Sequence, residues 1–233
     1  MISRRTLPNL LTLGNLLAGA TALALLGSNA RPAAVLTCVA AGLVFDLLDG
    51  RVARALKADN AFGTQLDSLA DVVSFGVVPT LAVWDWKLAA LGWAAAPVAG
   101  LLAAAAAWRL ARFNVNAGGP ARVERGAARS HGLPVTFPAA LLLAGGVAAP
   151  EVSPLAVAVL CPVLALLMVS RLPYRTFKDR SPALPLAVAG LCSVAAAVLN
   201  RWGVPFVPAA IALGAGIYIL SAPLAALFRG RGR

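Results

Sequence analysis

Apolar runs long enough to cross a bilayer follow one another along almost the whole chain, and that succession leaves few folds open. A membrane-crossing helix needs about 20 apolar residues, because the hydrocarbon layer is about 30 Å thick and a helix rises about 1.5 Å per residue. Eight such runs can be marked: Asn9–Leu26, Ala33–Leu56, Thr64–Trp84, Leu88–Phe113, Leu133–Ala149, Pro154–Ser170, Ala183–Leu199 and Val204–Phe228. Inside lipid every backbone N–H and C=O must find a partner within the protein, so single runs of this length form helices. The expected fold is all-α: a polytopic transmembrane helix bundle of about eight spans, built as one domain over residues 1–233. A mean hydropathy of +0.83, with 60% hydrophobic and 12% charged residues, excludes an ordinary soluble domain.

The net charge of +11 is distributed as in a membrane protein. If the termini and the loops after even-numbered spans share one side, that side collects every Lys and Arg except Arg31, Lys87 and Arg201. Cytoplasmic loops are the basic ones, so the N and C termini are expected in the cytoplasm. The same cations would sit beside anionic membrane lipids. Nucleic acid is not an expected partner, because no soluble module remains to bind it. The first 30 residues resemble a signal peptide superficially, but Pro8, Asn9, Thr12 and Asn15 interrupt the apolar run, as a helix with a polar face towards a cavity would. Cys38, Cys161 and Cys192 are too scattered for a zinc or redox framework, and His131 is the only histidine.

Against this background four aspartates stand out. They fall in the pattern Asp46-x2-Asp49-Gly50-x2-Ala53-Arg54-x8-Gly63-x3-Asp67-x3-Asp71, in a chain with only nine acidic residues. Carboxylates at bilayer depth are costly and mark function by default. Asp46, Asp49 and Ala53 share one helix face, as do Gly63, Asp67 and Asp71. Counting rise per residue, Asp46 and Asp49 lie roughly 15 and 10 Å before the end of the second span, and Asp67 and Asp71 roughly 5 and 10 Å into the third. A short loop between antiparallel neighbours would bring the four to similar depth. Carboxylates so close repel unless cations neutralise them, and hard oxygen ligands suit Mg²⁺, Mn²⁺ or Ca²⁺, with two ions the natural number. Magnesium sites are commonly completed by substrate phosphate, and Arg54 is placed to contact phosphate or a carboxylate. The competing readings are a helix hairpin held by paired charges, which one adjacent Arg balances poorly, and a divalent-cation transporter, which would be expected to repeat the pattern in a second half.

The pattern from Asp46 to Asp71 resembles the signature of the CDP-alcohol phosphotransferases at every fixed position. The resemblance implies a metal site at Asp46, Asp49, Asp67 and Asp71 holding Mg²⁺ or Mn²⁺, in two copies. It implies binding of a CDP-linked donor by Asn15, Asp49, Gly50, Ala53, Arg54, Gly63, Thr64 and Asp67. It also implies Asp71 as the catalytic general base, and a homodimer. Further segments are similar to the phosphatidylserine synthase branch: Leu7 to Asn15, Ser74-Phe75-Gly76-Val77-Val78-Pro79, Arg109-x2-Arg112-Phe113-Asn114, Gly132-Leu133-Pro134, and Ser170 to Lys178. That branch implies transfer of the phosphatidyl group of CDP-diacylglycerol to L-serine, with CMP released, in the cell membrane at a site facing the cytoplasm. Acceptor or phosphate contact is expected of Ser74, Arg109 and Arg112. Both arginines also suit plain anchoring at a cytoplasmic helix end. The nearest alternative keeps the donor and changes the acceptor to glycerol 3-phosphate or inositol phosphate.

Overall fold

The structure, a computed structural model, describes residues 6–28, 30–58, 60–117, 129–175 and 206–230. Its helices are α1 (Thr6–Gly27), α2 (Pro32–Ala55), α3 (Ala61–Asp71), α4 (Val78–Trp86), α5 (Ala96–Ala117), α6 (Thr136–Ala148), α7 (Pro154–Val169) and α8 (Phe206–Gly230). A π-helical segment, Val72–Val77, joins α3 to α4. Two short strands, β1 (Arg129–His131) and β2 (Pro173–Arg175), pair antiparallel with His131 opposite Pro173 and Ser130 opposite Tyr174.

Among the described residues, four stretches are long and apolar enough to cross a membrane: Thr6–Gly27, Pro32–Ala55, Ala61–Trp86 and Trp93–Val115. Helices α6 and α7 and the Val207–Pro223 part of α8 are apolar but shorter. The protein is thus a membrane-bound helical bundle. The expected run Ala183–Leu199 lies outside the described residues. The fourth expected run is not one helix from its start: residues Leu88–Leu91 and Trp93–Ala95 form 3₁₀ turns around Gly92, whose φ of +80° stops regular helix, and α5 begins at Ala96.

Local chemistry sets the boundaries that matter for the site. α2 opens on Pro32, where the missing N–H would have been unpaired in any case. The turn after α2 places Lys57 at φ +51°. Asn60 then caps α3, its side-chain oxygen accepting from the Gly63 N–H at 2.9 Å. The wide segment has its cause in Pro79. In a regular helix the Pro79 ring would strike the carbonyl of Phe75, and Pro79 has no N–H to offer. Widening the preceding turn relieves both problems, and the Val78 N–H bonds the Val73 carbonyl five residues back.

Polarity is arranged inside out. Leu17, Phe62, Leu166 and Ile217 are exposed on the outside, whereas Thr12, Asn15, Asp49, Asp71, Ser74 and Arg109 are buried. α1 packs most extensively on α2, α8 on α6, and α5 on α7. Small residues make the closest approaches possible. A Cβ on Gly42 would lie 2.9 Å from the Asn15 side-chain oxygen, and one on Gly19 would collide with the Ser74 hydroxyl.

Candidate active site

Three of the four signature carboxylates converge. Asp46 and Asp49 from α2 and Asp67 from α3 each offer an oxygen, and these atoms lie within 4.8 Å of one another. Asp71, one turn deeper on α3, is 8% exposed and lies within electrostatic reach of Asp46, Asp67 and Asp49. Its Oδ1 accepts from Asn15 Nδ2 at 3.1 Å. The helical spacings thus bring Asp46, Asp49 and Asp67 together, with Asp71 within electrostatic reach of all three. A set of hard oxygens at this separation fits a divalent cation, and like charges held so closely need one.

α1 supplies the donors that face these acids. Pro8, Thr12, Asn15 and Gly19 form its buried stripe, at the spacing of one helix face. Thr12 Oγ1 donates to Asp49 Oδ2 at 2.6 Å, a charge-assisted bond at the short end of its range. The sequence places Thr12 on a polar helix face expected to turn towards a cavity, but nothing in it names Asp49 as the partner. Ser74, presented by the wide turn, donates through Oγ to the Asn15 carbonyl at 3.0 Å, so the same asparagine is fixed at its main chain and holds Asp71 with its side chain.

The remaining signature residues lie on the same two helices. Gly50 lies under the Arg54 side chain, which folds back so that a Cβ on Gly50 would sit 3.4 Å from its guanidinium. Arg54 and Thr64 are exposed, and Ala53 and Gly63 are half-buried. Gly63 faces α1, where a Cβ would come 3.2 Å from the Asn9 side-chain oxygen.

The two arginines of α5 are placed differently. Arg109 is 8% exposed and lies within electrostatic reach of Asp71 on one side and Tyr218 on the other. Arg112, one turn later, donates to the carbonyls of Val169 at 2.6 Å, Ser170 at 3.0 Å, His131 at 3.3 Å and Met168 at 3.4 Å. It ties the end of α7 to β1, using carbonyls that a helix end leaves without N–H partners. Gly132, at φ +85°, lets the chain pass there: a side chain would strike the Met168 carbonyl. Asn114 bonds back to α3, its Nδ2 donating to Ser68 Oγ at 2.9 Å and to Gln65 Oε1 at 3.2 Å.

A membrane-bound helical bundle in which carboxylates of α2 and α3 converge defines the class: a membrane protein with an acidic cluster of a kind that can hold a divalent cation. Residues 5–202 match the CDP-alcohol phosphatidyltransferase family, and the chain belongs to that family. Among its relatives is the CDP-diacylglycerol–serine O-phosphatidyltransferase of Mycobacterium tuberculosis, 38% identical over 115 residues, which are 48% of this chain and 39% of that protein. Proteins of the same name from Helicobacter pylori (44% over 84 residues, 35% of each chain) and Bacillus subtilis (34% over 115 residues, 47% of this chain and 61% of that protein) are also similar. The matched stretch thus spans about two fifths of the mycobacterial relative's length.

Proposed function

We propose that the protein transfers the phosphatidyl group of CDP-diacylglycerol to the hydroxyl of L-serine, forming phosphatidylserine and CMP. The observation that carries the reading is the convergence of Asp46, Asp49 and Asp67 within 4.8 Å, with Asp71 held beside them by Asn15. The family match supports a CDP-linked donor, and the names of the similar proteins support serine.

Asp46, Asp49, Asp67 and Asp71 would hold Mg²⁺ or Mn²⁺, in two copies. Bound there, the metal supplies neutralisation of the diphosphate charge as the leaving phosphate develops it. Gly50, Ala53 and Gly63 carry little or no side chain, and we assign them contact with the nucleotide. Arg54 and Thr64, both exposed, contact its phosphates, and Asn15 serves the donor side through its hold on Asp71. Serine Oγ forms a bond to the phosphorus nearest the diacylglycerol. The bond from that phosphorus to the bridging oxygen breaks, and CMP departs with that oxygen. Asp71 Oδ1 is occupied by Asn15, so Oδ2 takes the serine proton. Arg109, buried and within reach of Asp71, receives the serine carboxylate. Ser74 contributes by fixing Asn15, and Arg112 by holding the end of α7 beside α5. We place the site at the cytoplasmic face of the cell membrane, from the asymmetry of Lys and Arg, in a homodimer with eight spans per chain.

Purified protein in detergent with CDP-diacylglycerol and Mn²⁺ tests the reading. CMP release should require serine and stop on chelation of the metal. Release driven by glycerol 3-phosphate or inositol phosphate but not by serine would overturn the acceptor assignment. Metal flux in liposomes without nucleotide would overturn the class.

A further inference from the structure

α8 carries Pro223 inside its length. Proline has no N–H, so the carbonyl of Ile219, four residues earlier, loses its helix donor, and the ring pushes that carbonyl outward. In a buried, lipid-surrounded helix such a carbonyl needs a replacement. Tyr174 provides it. Its hydroxyl donates to the Ile219 carbonyl at 3.1 Å, and the residue is completely buried. Burial also pushes its phenol above its ordinary pKa, so it remains a donor well past neutral pH.

What the bond holds is the turn beside it. Tyr218 precedes Ile219, stacks on Phe137 of α6 with ring centroids 3.8 Å apart and planes 11° apart, and lies 5.7 Å from the Tyr174 ring. Tyr218 is also within electrostatic reach of Arg109. Ser221 Oγ donates to the Tyr218 carbonyl at 2.6 Å, so two successive carbonyls of this turn are met by side chains. Tyr174 itself is anchored by the pairing of β2 with β1, and β1 is tied to α5 through the Arg112 bond to the His131 carbonyl, one turn from Arg109.

We propose that Tyr174 is a positioning residue matched to Pro223: its hydroxyl fills the gap the proline leaves, and so sets the Tyr218–Phe137 stack as the wall of the acceptor pocket beside Arg109. The proposal rests on the reading of Arg109 as the group that receives the acceptor carboxylate. It assigns acceptor fit to residues far beyond the aspartate signature, Tyr174, Tyr218 and Pro223 among them.

The test is a double-mutant cycle, because Pro223→Ala restores an N–H four residues beyond Ile219 and should make the Tyr174 hydroxyl dispensable. In the native background Tyr174→Phe should raise the KM for serine by about five- to tenfold, the scale of one unmet buried carbonyl, with the KM for CDP-diacylglycerol within about twofold. In the Pro223→Ala background the same change should alter the serine KM by less than about twofold. Heat unfolding in detergent gives a readout independent of turnover: Tyr174→Phe should lower the midpoint in the proline background and leave it unchanged in the alanine background. Pro223→Ser replaces the alanine variant if the latter does not accumulate. Equal losses in both backgrounds, or a parallel rise in both KM values, would overturn the proposal. Wild-type protein that releases no CMP with serine would overturn the acceptor reading on which the KM arm rests, while the unfolding arm would still decide whether Tyr174 and Pro223 are matched.

Discussion

Thr12→Val is the most discriminating change to the proposed metal site, because it replaces one hydroxyl by a methyl group of similar size. Thr12 is 3% exposed, and its hydroxyl reaches both Asp49 Oδ2 at 2.6 Å and the Pro8 carbonyl at 3.2 Å. One proton cannot serve both, and the shorter, charged contact takes it. Valine keeps the branched shape, leaves the α1–α2 packing in place, and removes the donor that sets the Asp49 rotamer. A hydrogen bond to a charged group contributes about 1.5–3 kcal/mol. Loss of such a supporting partner lowers metal affinity by about 10–100-fold, or about 1.4–2.8 kcal/mol, so the two scales agree. The expected result is a 10–100-fold rise in the Mn²⁺ concentration giving half-maximal CMP release, with the rate at saturating metal falling much less. Thr12→Ser, which keeps the hydroxyl, should stay within about threefold of wild type. The assay is CMP release titrated with Mn²⁺ against metal-buffered solutions, with heat unfolding as a check on the fold. An unchanged metal requirement in Thr12→Val would refute the role of Thr12 and weaken the placement of Asp49 as a ligand.

Three other outcomes are expected. Asp71→Asn should reduce kcat by about 100-fold or more while the donor KM moves little, the mark of a general base; equal loss in donor binding and rate would make Asp71 chiefly a metal ligand. Gly19→Ala should destabilise the protein by about 1–3 kcal/mol through overpacking, and Ser74→Ala in the same chain should recover part of that, since the Ser74 hydroxyl is the nearest atom to the added methyl. Full stability of the single Gly19 variant would contradict the close approach of α1 to the wide turn. Arg112→Lys should lower the unfolding midpoint by several degrees, equivalent to about 1–2 kcal/mol, because an ammonium cannot reproduce a planar fork spread over four carbonyls; no shift would show those bonds to be dispensable.

The aspartates were legible because helix periodicity translates directly into position: spacings of three and four put Asp46, Asp49 and Asp67 where they meet. The apolar runs likewise gave the helical class, since hydrocarbon admits so few alternatives. What escaped was everything decided by a single neighbour across the bundle. Thr12 could be placed on a polar face, but its partner Asp49 follows only from the packing of α2 against α1. The wide turn at Val72–Val77 arises from a clash between Pro79 and its own carbonyl neighbour, and a hydropathy pattern does not register it. The β1–β2 pairing joins strands of three residues each, too short for any alternation to show. Arg109 and Arg112 stand one turn apart in the sequence, and only the structure shows Arg109 buried within reach of Asp71 and Arg112 bonded to the end of α7.

Synthesis from the N terminus gives the α1 stripe a second meaning. α1 bears no charged residue across Thr6–Gly27, so it can enter the bilayer before the acids have been made, bringing Thr12 and Asn15 as neutral donors. Each aspartate inserted near a helix centre carries a penalty of about 2.5–3.5 kcal/mol. Asp49 and Asp71 arrive next, from the two following helices, and find their partners already waiting. Arg109, the buried cation within reach of Asp71, is made later still, on α5. Thr12 and Asn15 are thus uncharged donors made before the acids they hold, so Asp49 and Asp71 meet a hydrogen-bond partner on α1 before Arg109 exists.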